Sequence, residues 1–138
     1  MNYRELGKYI DALTNMANWT KTTFIRTFYK LKPHVVERKM EKLVAHQNID
    51  NVFCAIEPDP GRSHNHLHMA IAGRGITRKL ISKTMGVSED SVANVETIRS
   101  KKHMNQYIAK HLPNEQQYIN GYHKINNLIF FLINTKFI

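Results

Sequence analysis

VFCAIE over Val52–Glu57 and HLHMAIA over His66–Ala72, separated by a segment containing Pro58, Pro60 and Gly61, decide how this chain folds. Both runs are short and rich in strand-favouring apolar residues, and the breakers between them turn the chain back, so the pair reads as a β-hairpin. Successive side chains on a strand point to opposite faces, which sorts the hairpin in two. One face receives Val52, Cys54, Ile56, Leu67, Met69 and Ile71, an apolar row that calls for helices packed on it. The other receives Phe53, Ala55, Glu57, His66, His68 and Ala70, where small residues and polar ligands gather.

Upstream, Leu6, Tyr9, Ile10, Leu13 and Met16 recur at helical spacing within Arg4–Trp19, Thr22–Tyr29 has strand composition, and Pro33 opens a second helix ending near Asn48. Downstream, a short helix over Thr77–Met85 is stopped by Gly86, Val92–Thr97 reads as a strand, and Ser100 caps a helix running to Leu112, closed by Pro113. From Thr22 the order is strand, helix, strand, strand, helix, strand, then a further helix. That is an α+β, ferredoxin-like antiparallel sheet with helices on one face and the last helix free to cover the other. A single domain is expected over 1–138, with its core at about 22–112; the Asn-rich, apolar tail over 114–138 has no clear period.

Lys and Arg number 20 against 11 Asp and Glu, a net charge of +9 with a pI near 9.8, which favours a polyanionic partner and nucleic acid first. A membrane partner is disfavoured, because the longest apolar stretch, Leu128–Ile133, falls far short of the roughly 20 residues of a spanning helix. The N-terminal segment is too polar for a signal peptide, and the lone Cys54 suits a reducing cytoplasm and reads as a small core residue.

The turn brings Glu57 beside His66 and His68, two nitrogens and one carboxylate converging on one point. Such a mixed set can hold a divalent metal and leave positions open for water and substrate. Chance adjacency among eight histidines is the plainer alternative. His64, in the loop after Gly61, is placed as a substrate or outer contact. On the helix over 100–112, His103, Tyr107, Lys110 and His111 lie three or four residues apart on one face. A phenol is a poor nucleophile near neutral pH, so Lys110 and a metal would have to stabilise the phenolate or the phosphoryl charge. The same spacing also fits an ordinary amphipathic helix that packs Tyr107 into a core.

These residues resemble the HUH endonucleases, and among them the rolling-circle replication initiators of viruses, phages and plasmids. The resemblance rests on His66-Leu67-His68, the upstream carboxylate Glu57 and the downstream Tyr107-Ile108-Ala109-Lys110, over about residues 22–112. The order, His pair before tyrosine, is that of initiators, whereas relaxases of conjugation look reversed. The family's first motif has only a loose counterpart in Phe24–Tyr29, and one motif tyrosine is present; Tyr118 and Tyr122, beyond Pro113, read as structural.

The resemblance implies that Tyr107 attacks a phosphodiester of single-stranded DNA, giving a 5′-phosphotyrosine and a free 3′-hydroxyl that can later rejoin the strands. It implies Mg²⁺ or Mn²⁺ held by Glu57, His66 and His68, and the host's helicase and polymerase as partners in its cytoplasm. Basic residues expected to follow the DNA backbone are Arg62, Arg74, Arg78, Lys79, Lys101 and Lys102.

A single-tyrosine transposase of the same superfamily would use the same chemistry. Lys110, where those transposases more often carry Gln, favours replication. A non-catalytic single-strand-binding module on the same sheet would stack bases on exposed aromatics, and Phe53 alone clearly offers itself there. A structural zinc site would draw on several cysteines.

Overall fold

The computed structural model describes residues 3–26, 33–58, 65–111 and 129–134, with the backbone alone at 3, 6, 33, 56–58, 65 and 129–134. In chain order these form α1 (Tyr3–Asn15), β1 (Lys21–Arg26), α2 (Pro33–Val44), β2 (Ile49–Pro58), β3 (Asn65–Gly73) and α3 (Arg78–Met85). A 3₁₀ turn (Glu89–Ser91), β4 (Glu96–Thr97), α4 (Lys101–His111) and β5 (Ile129–Asn134) complete them. The hairpin β2–β3 is the centre of one antiparallel sheet ordered β4-β1-β3-β2-β5. Its first four strands have the order of a split βαβ arrangement, in which each crossover helix spans one intervening strand.

The alternation read from the hairpin holds at every described side chain. Val52, Cys54, Leu67, Met69 and Ile71 are buried with Ile25 beneath α2 and α3, against Val36, Met40, Leu43, Ile81 and Met85. On the opposite face Phe53, Ala55, Ala70 and Ala72 pack against Ile10 and Leu13 of α1 and Met104 and Ile108 of α4. Three alanines on that face leave room for two helices to lie close to the strands.

Helix α1 therefore shares the face of α4, a placement its own periodicity does not reveal. The two helices are tied by Asn105 Nδ2, which donates to Asp11 Oδ1 at 2.8 Å and Thr14 Oγ1 at 3.2 Å. Lys101 Nζ also reaches Asn15 Oδ1 at 3.1 Å.

Several boundaries depart from the sequence reading for identifiable reasons. Helix α1 stops at Asn15, short of Trp19, where the Trp19 indole folds back and donates to the Leu13 carbonyl at 2.9 Å, which also accepts the Met16 amide at 3.4 Å. Helix α2 stops at Val44, short of Asn48, where His46 Nδ1 accepts from the Asn48 amide at 3.1 Å and sets up a turn into β2. The strand expected over Val92–Thr97 shrinks to Glu96–Thr97. Val92 makes only an isolated bridge to Ile25, and the Ala93 carbonyl is taken by the Thr23 hydroxyl, which interrupts the ladder. The tail, read without a period, supplies β5 paired with β2. Helix α3 has the ends its sequence announces: Thr77 Oγ1 caps the Leu80 amide and Gly86 closes it in the left-handed conformation.

Gly73 ends β3 where the 46–49 turn crosses it, and a Cβ there would drive into the Asn48 backbone carbonyl. Backbone cannot swing aside as a side-chain end can, so Gly73→Ala should destabilise the fold by about 1–3 kcal/mol, the usual cost of overpacking. The check is a urea unfolding curve. A lower midpoint at unchanged slope is expected, and an unmoved midpoint would show that the turn yields freely.

Candidate active site

The register of the sheet aligns rows of residues on the α1–α4 face. Phe24, His68 and Ala55 are one row, and Arg26, His66 and Glu57 the next. His66 and His68 are thus neighbours along one edge of that face, with ring centroids 6.3 Å apart, and Phe24 lies 6.0 Å from each. The Arg26 guanidinium sits over the Phe24 ring at 5.7 Å. Glu57 is opposite His66 in the backbone register, but its side chain lies outside the described residues.

Helix α4 brings its last turns onto this edge. His111 stacks on His68 with centroids 4.2 Å apart, and the Tyr107 ring lies 4.5 Å from His111, tilted against it. The HLH strand and the tyrosine helix, separated by nearly 40 residues of chain, meet through these rings. They line a cleft of about 650 Å³ with Thr22, Phe24, Glu96, His103, Gln106 and Lys110.

The tyrosine is not poised as the neighbouring Lys110 suggests. Its hydroxyl donates to the Met69 main-chain carbonyl at 3.0 Å. Burial pushes its ionisation well above the ordinary phenol range, and the Glu96 carboxylate adds to the rise. Lys110 is exposed at the cleft wall and is not among the causes of the shift. His111 is buried and its ionisation is lowered to about 4, first by burial and then by His68 and Lys110, so it is neutral at physiological pH. Cys54 is fully buried and its thiol is pushed up by burial, the inert core residue expected.

His103 lies one turn before Tyr107. Its Nδ1 accepts the Arg99 amide at 3.1 Å, while its own amide donates to the Ser100 cap at 3.1 Å. His64 and Arg62 lie outside the described residues, as do Tyr118 and Tyr122.

The expected DNA-contacting cations divide. Lys101 and Lys102 are exposed on the first turn of α4. Arg74 instead follows the far end of β3, in a polar hollow with Asn18, Thr20 and Asp50. Arg78 is spent on structure, its Nε and Nη2 donating to the Val92 and Glu89 carbonyls at 2.8 and 2.9 Å. Lys79 belongs to α3, on the opposite face from Tyr107.

Sequence reasoning passed over Glu96, Gln106 and Arg26. Glu96 is brought to the site by pairing with Thr22, and Arg26 by pairing with His66. Only the register of β1 reveals either.

Among the described residues no group of three His, Cys, Asp or Glu side chains is placed to hold a metal, and the third donor of the expected set is the undescribed Glu57 side chain. No family model, curated protein or solved structure matches the chain. Among the described residues no helix is long and apolar enough to cross a membrane.

Proposed function

We propose that this protein is a replication-initiator endonuclease of the HUH type, which nicks and rejoins single-stranded DNA through Tyr107. The observation that supports it is the ring series His68–His111–Tyr107 lining one cleft, with His66 the neighbour of His68 on the same strand face, beside a sheet of the appropriate strand order. In this reading Tyr107 Oη attacks the phosphorus of a phosphodiester, the bond to the 3′ oxygen breaks, and that oxygen leaves with a proton as a 3′-hydroxyl. The DNA 5′ phosphate stays on the tyrosine. Reversal by a 3′-hydroxyl restores the strand and needs no nucleotide cofactor, because the phosphotyrosine retains the phosphodiester's bond energy.

The residues fit a divalent cation in their chemistry. Two imidazoles at alternate positions of one strand, opposite the backbone position of a carboxylate, make a mixed nitrogen and oxygen set. Two imidazoles suit Mn²⁺ better than Mg²⁺, which prefers oxygen. The neutral His111 beside His68 adds no repelling charge. A cation held there would polarise the phosphate oxygens during attack. Lys110 faces the developing phosphoryl charge, and Tyr107 must first leave the Met69 carbonyl.

A second reading, a non-catalytic single-strand-binding module, draws on that same hydrogen bond, which suits a packed tyrosine. It loses its expected stacking surface, since Phe53 is fully buried beneath the helices. The two readings separate on one experiment. Labelled single-stranded oligonucleotides of varied sequence are incubated with the protein and Mn²⁺, then run on a denaturing gel. A covalent protein–DNA band carries the proposal; binding without any covalent band carries the alternative.

Binding itself should be independent of the hydroxyl. Tyr107→Phe should hold single-stranded DNA as the wild type does, and both should lose affinity about tenfold for a fourfold rise in salt, the effect of about two or three phosphate contacts. Affinity that stays flat across the salt series would contradict the electrostatic reading of the +9 charge.

A further inference from the structure

The cleft at Tyr107 does not end there. Glu96, His103 and Gln106 also line a second depression of about 720 Å³, completed by Thr97, Arg99, Ser100 and Lys102. Arg99 and Ser100 in turn line a third, of about 180 Å³, which reaches Asn18, Lys101 and the α1 side of α4. The second shares wall residues with the first and with the third, so the three follow one another along α4 as a trough from His68 back to its first turn.

The lining has one acid, Glu96, against Arg99, Lys101, Lys102 and Lys110. Arg99 and Lys102 are exposed, and among the described residues no hydrogen bond or ion pair ties their charged ends down, in contrast to Arg78. His103 sits where the first two depressions join. Because its Nδ1 accepts the Arg99 amide, the neutral ring carries its proton on Nε2 and can donate to a phosphate or a base. Thr97, Ser100 and Gln106 add neutral polar groups. A trough with cations along its length, donors between them and its mouth at the tyrosine matches an unpaired strand's backbone.

We propose that the DNA strand flanking the scissile phosphate runs along this trough, with Arg99 and Lys102 as its phosphate contacts and His103 at the junction with the reaction site. This rests on the endonuclease reading of the Tyr107 cleft. It assigns the path to β4 and the first turn of α4, and leaves Arg74 and Lys79 off it.

The test compares Arg99→Gln/Lys102→Gln with Arg74→Gln/Lys79→Gln, two variants of equal charge loss at exposed positions. Affinity for a fluorescent oligo(dT) is measured across a salt series, and circular dichroism confirms that each variant is folded. For single strands each phosphate contact contributes about 0.7 to the slope of log affinity against log salt, so the trough variant should lose about 1.4 and the other pair nothing.

Equal slopes in both variants and the wild type would overturn the trough while leaving the nicking reading to stand on its covalent adduct. Equal losses in both variants would show that bulk charge, not a path, governs binding, and would also overturn it. A wild type that forms no complex with oligo(dT) at low salt would overturn this assignment, whereas the reading it rests on falls only if no oligonucleotide gives a covalent adduct.

Discussion

Tyr107→Phe is expected to abolish the covalent protein–DNA adduct completely, while Tyr118→Phe and Tyr122→Phe leave it at the wild-type level. The adduct requires an oxygen at the ring's para position, and no packing repair can supply one. What the substitution costs in stability is small, because the ring, its contact with His111 at 4.5 Å and its place against the α1–α4 core all persist. Only the hydrogen bond to the Met69 carbonyl is lost, worth about 0.5–1.5 kcal/mol. A folded variant that binds DNA but forms no adduct is therefore the expected result.

The linkage can be located by placing label on either side of the nick. Label 3′ of the nick should remain on a peptide containing Tyr107. Attachment at Tyr118 or Tyr122 would move the nucleophile out of α4 and dissolve the site assignment. The hydrogen bond to Met69 also means that free protein stores the hydroxyl away from reaction, so adduct formation should lag behind binding when the two are followed in the same mixture.

How far the sequence discloses this arrangement depends on the kind of signal each element carries. The hairpin was legible because a period of two needs only the chain itself, and every described side chain from Val52 to Ala55 and from His66 to Ala72 lies on the face that its parity assigns. Helix α3 was legible because Thr77 and Gly86 are local punctuation. Strand β5 was not, since an apolar run of this length has no internal alternation and gains its identity only from the edge of β2.

The same division applies to the site. His66, His68, Tyr107 and His111 could be grouped from spacing, because each pair lies on one element. Glu96 and Arg26 could not, because the pairing of β1 with β4 and with β3 brings them in. The partner of the Tyr107 hydroxyl was not legible for a related reason. Helical spacing shows Lys110 nearby, but the acceptor it meets is a main-chain oxygen of β3, which no side-chain pattern encodes.

Loss of an imidazole from the strand should be nearly as severe as loss of the hydroxyl. Adduct formation is expected to require Mn²⁺ or Mg²⁺, and His66→Ala or His68→Ala should reduce it at least about 100-fold at a saturating metal level for the wild type. The scale follows from metal sites in general, where removing an outer partner alone costs about 10–100-fold, so removing a direct donor costs more. The two variants differ in their side effects. His68 also supports the stacked His111, at 4.2 Å, so its loss combines a missing donor with a gap beside His111, and thermal melting should register it more than His66→Ala. Glu57→Gln should be milder, since an amide oxygen can still ligate without the charge, and should respond to added metal more than either histidine variant. A Mn²⁺ titration of adduct yield in the wild type and all three variants ranks them directly. Robust adduct in excess chelator, or His66→Ala behaving as wild type at every concentration, would remove the metal from the reaction and leave the two histidines as members of a packed aromatic edge.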